Sequence, residues 1–239
     1  MKSHRIAVAL LLAAASAPAF AEIDRLQLLT QPEFRALAED MTAALSYKPL
    51  QPIEPLGFPG FDIGVAATGT QIKHQDLWAR ATGESDFPST VVVPSVRASI
   101  GLPWNFDLSG MYSSVPKTGV SLAGGALSWA LYGGSTWLPA LDVRASYTKM
   151  FGVDQLDFNS SGLDASISKG FGPFTPYLGA GKIWSKATPQ STTILHPESF
   201  SQQKVFGGIA VKVTVVNLVV EYDRTGAVNS YGAKLGLRF

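Results

Sequence analysis

The 239-residue chain contains no cysteine. Whatever holds it together works without disulfides, and no thiolate is on hand as a metal ligand or nucleophile. A charge bias is missing too, with 19 Lys and Arg against 18 Asp and Glu. Near neutrality removes the electrostatic argument for a nucleic-acid partner. Beyond residue 21 no uninterrupted apolar run reaches the ~18 residues of a membrane-spanning helix. Charged residues of any sign are scarce, at 15% of the chain, beside 23 glycines and an aromatic share of 10%. So little charge poorly covers a soluble surface and suits strands with one face turned away from water.

What is present starts with an export pattern. Lys2 and Arg5 precede the apolar run Ile6 to Ala15, and Ala19-Phe20-Ala21 forms a small-x-small cleavage site before Glu22. Residues 1–21 therefore read as a cleaved secretory signal. Next comes a helix: Thr30-Gln31-Pro32-Glu33 is a capping box, and Leu29 and Phe34 are placed as a hydrophobic staple. Phe34, Leu37, Ala38, Met41 and Leu45 then share one face at helical spacing. Pro49, Pro52, Pro55 and Pro59 end it in an extended linker, so residues 22–59 form a helix and a Pro-rich connection.

From Phe61 the apolar period changes to two. Ile63 and Val65, Val96 to Leu102, Leu127 to Leu131, Leu141 to Tyr147, Leu163 to Ile167, Val205 to Val213 and Leu218 to Tyr222 each alternate with polar residues. Such segments are strands with two unlike faces. The stretch Pro176 to Lys186 is the least regular. Tight connections, two carrying Trp104 and Trp137, alternate with longer polar segments at Ile72 to Thr90, Gly152 to Asn159, Ala187 to Gln203 and Thr225 to Asn229; a further short turn falls near Pro116-Lys117. Together the pattern predicts about ten strands (8–12) over residues 60–239, with a soluble β protein as the alternative fold.

The last strand alternates Tyr231, Ala233, Leu235, Leu237 and Phe239 with Ser230, Gly232, Lys234, Gly236 and Arg238, and the sequence ends on the aromatic ring. It resembles the closing strand of small Gram-negative outer-membrane β-barrels, with one departure: glycine falls at Gly232 and Gly236, and Lys234 stands where that family prefers it. The resemblance implies an antiparallel up-and-down transmembrane β-barrel in the bacterial outer membrane. Its partners would be membrane lipid and the barrel assembly machinery, which reads Tyr231, Leu235, Leu237 and Phe239. Long loops would be extracellular and tight turns periplasmic, with Trp104, Trp137, Phe106 and Phe174 as an aromatic girdle. The N-terminal helix would then be a periplasmic cap on the lower rim, with a lumenal plug or a surface helix as alternatives.

In such a barrel Arg97, Asp142, Arg144, Asp164, Lys204, Lys212, Glu221, Asp223, Lys234 and Arg238 face the lumen, because lipid excludes charge. They either pair into a filled interior or line a narrow path. The leading functional expectation is a porin-like or transport-related barrel for small molecules; a structural or surface-interaction barrel acting through its loops is the alternative. A rim hydrolase built on His74, Asp76 and Ser85 or Ser199 ranks below both, since no G-x-S-x-G or H-E-x-x-H motif supports it, and the chain reads as a non-enzyme. No metal-ligand spacing or cofactor motif is present; a calcium site at Asp76, Glu84 and Asp86 is the nearest approach.

Overall fold

The computed structural model describes residues 23, 25–52, 54–84, 87–114, 120–135, 137–190, 192 and 194–239. The export pattern, Ser85, Asp86 and the Pro116-Lys117 turn lie outside these residues. Ten strands are formed: β1 (Phe61–Gln71), β2 (Thr90–Leu102), β3 (Phe106–Ser114), β4 (Ser121–Tyr132), β5 (Ala140–Phe151), β6 (Leu156–Ser168), β7 (Phe174–Pro189), β8 (Glu198–Val213), β9 (Val216–Thr225) and β10 (Val228–Arg238). Each pairs antiparallel with its chain neighbour, and β1 pairs with β10 from Asp62↔Arg238 to Thr70↔Ser230, closing an up-and-down barrel. Closure matters because it leaves no edge strand whose amides lack partners.

The final residue completes the seam. The Phe239 amide donates to the Phe61 carbonyl at 2.9 Å, the Phe61 amide donates back at 3.2 Å, and the two rings stack with centroids 4.7 Å apart. The apolar residues read as one stripe, from Ile63 on β1 to Leu237 on β10, lie on the outward face; most are exposed, while Leu102, Val143 and Val211 are half-buried. The irregular segment is β7, which at 16 residues is as long as any strand. Its alternation was obscured because Lys182 and Lys186 stand on the outward face and Gly179 and Gly181 on the inward one. One of those inward glycines is a packing requirement: a Cβ at Gly179 would sit 2.4 Å from the Phe206 ring.

The two ends of the barrel differ. One carries tight turns, including the Pro103–Asn105 turn with Trp104 84% and Trp137 89% exposed. At the other, β1 and β2 are joined by a loop holding the helix α2 (Gln75–Thr82), which stops at Gly83 with φ +76. Three of the segments expected as long loops are shorter, since β6 starts at Leu156, β7 runs to Pro189, β8 starts at Glu198 and β9 reaches Thr225.

The helix α1 (Gln31–Leu45) forms over the predicted span, with the Glu33 carboxylate accepting the Thr30 amide at 2.8 Å and the Thr30 hydroxyl at 2.9 Å. Its position corrects the expectation of a cap on the tight-turn rim. α1 lies within the barrel at the long-loop end, where Phe34, Leu37, Met41 and Leu45 pack with Val91, Val93, Leu122, Met150, Phe158, Ala187 and Phe200. The reason is chemical: inward positions near that end are apolar, unlike the charged ones below, and they offer the helix stripe a dry partner. From Asp40 to Pro52 every residue is buried. The chain then descends through the lumen to Gly57 and enters β1 at the tight-turn end.

Leu50 seats this segment against β10. A Cβ at Gly232 would approach Leu50 Cδ2 to 2.7 Å, so glycine at 232 makes room for the side chain inside the barrel. Gly232→Ala is expected to cost about 1–3 kcal/mol by overpacking. A thermal unfolding series should show that loss, and Leu50→Ala in the same chain should recover part of it.

Candidate functional site: an occupied lumen

An extended peptide inside a barrel has no strand beside it, yet its backbone groups are buried and need partners. Here the inward side chains of the wall provide them. Arg97 Nη1 donates to the carbonyls of Lys48 at 2.7 Å and Pro49 at 3.3 Å, and its guanidinium lies over the Tyr47 ring at 5.2 Å. Lys204 Nζ donates to the Tyr47 carbonyl at 3.0 Å. The Leu50 amide donates to Glu221 Oε2 at 2.9 Å, and the Tyr177 hydroxyl donates to the same oxygen at 2.7 Å. Nearer the tight turns, Asp107 accepts the Leu56 amide at 3.1 and 3.2 Å, and Arg238 Nη2 donates to the Glu54 carbonyl at 2.6 Å. The Gln51 side chain meets Ser99 at 3.2 Å and Ser109 at 3.5 Å.

Charge is balanced in the same space. Lys48, 3% exposed, forms an ion pair with Asp223, which also accepts the Thr225 hydroxyl at 3.2 Å. Lys234 pairs with Asp62, itself bonded by Asn217 Nδ2 at 3.2 Å. Asp164 faces Lys204 at 3.5 Å; Arg144 meets Asp142 at 3.4 Å and donates to Ser128 at 3.0 Å, while Ser166 donates to Asp142 at 2.6 Å. Thus Arg97, Asp142, Arg144, Asp164, Lys204, Glu221, Asp223, Lys234 and Arg238 are all buried on the inward face. Lys212 departs from the expectation: although its position on β8 has inward parity, it lies at the tight-turn end of the strand and is exposed.

Asp62, Asp107, Tyr177, Lys48 and Gln51 join these charges in the lumen without having been expected there. Asp62 and Asp107 carried a usable signal, since each alternates with outward apolar neighbours. Lys48 and Gln51 carried none, because a Pro-rich segment has no period that says what surrounds it.

At the mouth, polar contacts pin α1 to the loops. Arg80 Nη2 of α2 donates to Glu33 at 2.5 Å, the His74 amide and Nδ1 contact Asp40 at 2.9 and 3.2 Å, and Arg35 Nη1 donates to Glu198 at 3.2 Å. Gln31 exchanges bonds with the His196 backbone at 2.9 and 3.1 Å. The Arg35 guanidinium also rests 4.1 Å over the Phe200 ring. These contacts do not assemble the hydrolase considered above: His74 engages Asp40 of the helix rather than Asp76, and Ser199 lies on the outward face of β8. Among the described residues no three His, Cys, Asp or Glu side chains converge as a metal site.

No family model matches the chain, and no curated protein matches it. Solved structures with a similar chain path include the N-terminal β-barrel domain of Pseudomonas aeruginosa OprF, at 13% identity over 74% of this chain and 97% of that one, with a TM-score of 0.39. Neisserial surface protein A is similar at 14% identity over 75% of this chain and 94% of its own, with a TM-score of 0.32. The attachment invasion locus protein Ail of Yersinia pestis, solved with the heparin analogue sucrose octasulfate, gives 14%, 75%, 97% and 0.27. All three are outer-membrane β-barrels. The ten-strand closure itself rests on the pairing described above.

The Glu33 carboxyl is held from its usual 4.5 down to about 2, chiefly by the Arg80 hydrogen bond and then by Thr30. Burial pushes the Asp40 carboxyl up, against the pull of His74. A depressed carboxyl stabilises the folded form above its unfolded value and loses that contribution as protons bind. Protection of the first-turn amides of α1, taken relative to their intrinsic exchange rates, should therefore fall as pH drops from about 4.5 toward 2. Glu33→Gln should flatten that acid step and raise exchange at neutral pH; an unchanged profile would contradict the Arg80 contact.

Proposed function

We propose that this protein spans the outer membrane as a transport-related barrel that its own N-terminal segment closes at rest. Membrane insertion is supported by the outward face. Phe61, Trp104, Phe106, Trp129, Phe174 and Phe239 ring the tight-turn end, and Tyr112, Tyr147, Trp184, Tyr222 and Tyr231 ring the other. Aliphatic residues such as Ile100, Leu108, Leu127, Leu163, Leu178 and Val220 are exposed between them. Along β10 and the one residue beyond it, the nine residues from Tyr231 to Phe239 rise roughly 20 Å for a tilted strand, close to an outer-membrane apolar band. Tyr231, Leu235, Leu237 and Phe239 all point outward, available to the assembly machinery, and the pattern in residues 1–21 supplies export.

Transport is supported by how the lumen is filled. A permanently solid barrel needs only interlocking side chains. This one surrounds residues 46–52 and 54–56 with charged and hydroxyl groups that hold the peptide by its backbone. Those groups accept water equally well, so withdrawal of the segment leaves a hydrated, mixed-charge path narrow enough for small polar solutes. A second reading, a surface-interaction barrel, is favoured by the ordered mouth, where Trp78 of α2 is fully buried and stacks on Phe87 at 5.0 Å.

Planar-bilayer recording tests the proposal. Wild-type protein is expected to insert and remain mostly silent. Arg97→Ala with Lys48→Ala should produce intermittent current, and a Leu50→Cys/Gly232→Cys pair in that background should suppress it until a thiol reductant is added. The native chain has no cysteine to interfere. Steady wild-type current, or current indifferent to the disulfide, contradicts gating by this segment. Silence in every inserted variant supports the surface-interaction reading instead.

A further inference from the structure

The outward wall is electrically uneven. On the outward faces of β1 to β4 and β10 there is no charged side chain, whereas β5 to β9 carry Lys149, Lys182, Lys186 and Arg224 against the single acid Asp157. All five lie in the half of their strand nearer the long loops. Lys149, Lys186 and Arg224 each stand two residues beyond an outward aromatic, Tyr147, Trp184 and Tyr222 respectively, so each cation projects just past the aromatic ring of the barrel toward the long-loop side. Among the described residues none of the four cations forms an ion pair. Lys182 Nζ lies 5.7 Å from the Trp184 ring.

The register places polar groups around these cations. Lys149, Asn159, Lys186 and Ser199 are successive cross-strand partners over β5 to β8, and in the next outward row Ser161, Trp184 and Ser201 are partners. Between the two rows the wall is hollowed by a depression of about 450 Å³, lined on the outside by Asn159, Ser161, Trp184, Lys186, Ser199 and Ser201. Its lining brings together the indole of Trp184, the hydroxyls of Ser161, Ser199 and Ser201, the amide of Asn159 and the ammonium of Lys186. The ammonium suits phosphate, the hydroxyls suit sugar hydroxyls, and the indole face suits the C–H face of a sugar ring. Below it comes the outward row Leu163, Lys182 and Gln203, and from Ala165, Ala180 and Val205 onward the wall is apolar surface for acyl chains.

We propose that the outer wall of β6 to β8 binds the headgroup of a phosphorylated glycolipid in the leaflet on the long-loop side. The phosphate lies between Lys186 and Lys149, the sugar rests on Trp184, and the lipid tails run down the apolar belt. This rests on the reading that the barrel spans a membrane, and is independent of whether the lumen opens.

The test uses the full mature chain in nanodiscs, with resistance to alkaline extraction from vesicles as a separate check on insertion. Probes are a bisphosphorylated glucosamine-disaccharide lipid, its dephosphorylated form and phosphatidylglycerol, with bound lipid counted by native mass spectrometry. Wild-type protein should prefer the bisphosphorylated glycolipid. Lys186→Ala with Lys149→Ala should weaken that binding by about tenfold or more, the loss of charge-assisted contacts. Trp184→Ala should weaken the glycolipid and leave phosphatidylglycerol unchanged, and Lys212→Ala at the opposite rim should change nothing. An inserted barrel that ignores the Lys186 and Lys149 changes, or binds both phosphate lipids alike, overturns the assignment. A chain extracted at alkaline pH overturns the membrane reading first.

Discussion

A polypeptide threaded through a closed barrel has to bury its amides and carbonyls where no sheet edge can receive them. That single constraint accounts for the interior of this protein. Strands satisfy one another around the wall, so the wall has no backbone groups to spare for residues 46–52 and 54–56. Side chains must do the work, and they must be long and polar enough to reach the axis. Arg97, Lys204, Glu221, Asp107 and Arg238 do so, each meeting a carbonyl or amide of the threaded segment. Prolines in that segment help for a related reason, since each removes one amide that would otherwise need an acceptor.

The interior is graded along the axis. Toward the long loops it is apolar and receives the amphipathic face of α1; in the middle and toward the tight turns it is charged and receives an extended backbone. The two parts are coupled through a short reach of chain: Leu45 closes the helix, Tyr47 lies against Met111 and Ala126, and Lys48 enters the ion pair with Asp223. The helix and the polar contacts below it are thus continuous, and the contacts at Glu33, Asp40 and Glu198 fix the helix at the mouth. Breaking a buried pair such as Lys48–Asp223 leaves an uncompensated charge, which is costly unless water enters with the change.

Most of the wall was legible in the sequence, because period-two alternation reports directly which residues share a face. Ile100, Leu141, Val211 and Leu237 on one side, with Arg97, Asp142, Lys234 and Arg238 on the other, follow from alternation alone. Two things were not legible. The position of α1 depends on what lies opposite its apolar stripe, and its partners Val91, Leu122, Phe158 and Phe200 are scattered over four strands, β2, β4, β6 and β8, near segments that read as loops. β7 was obscured by outward lysines, which break the apolar stripe, and by inward glycines, which carry no side chain to report their face. The glycine at 232 looked like a departure from a pattern in the closing strand; it is explained only by Leu50, more than a hundred residues earlier in the chain.

The account turns on whether the threaded backbone is held by the wall as tightly as the strands hold each other. Residue-resolved hydrogen exchange on the inserted protein measures this at the Leu50 and Leu56 amides. Held by Glu221 and Asp107, both should exchange as slowly as amides in the middle of β1 and β10. Exchange at the rate of an open, solvated linker would show that the segment does not occupy the lumen, and would contradict the closed barrel described here.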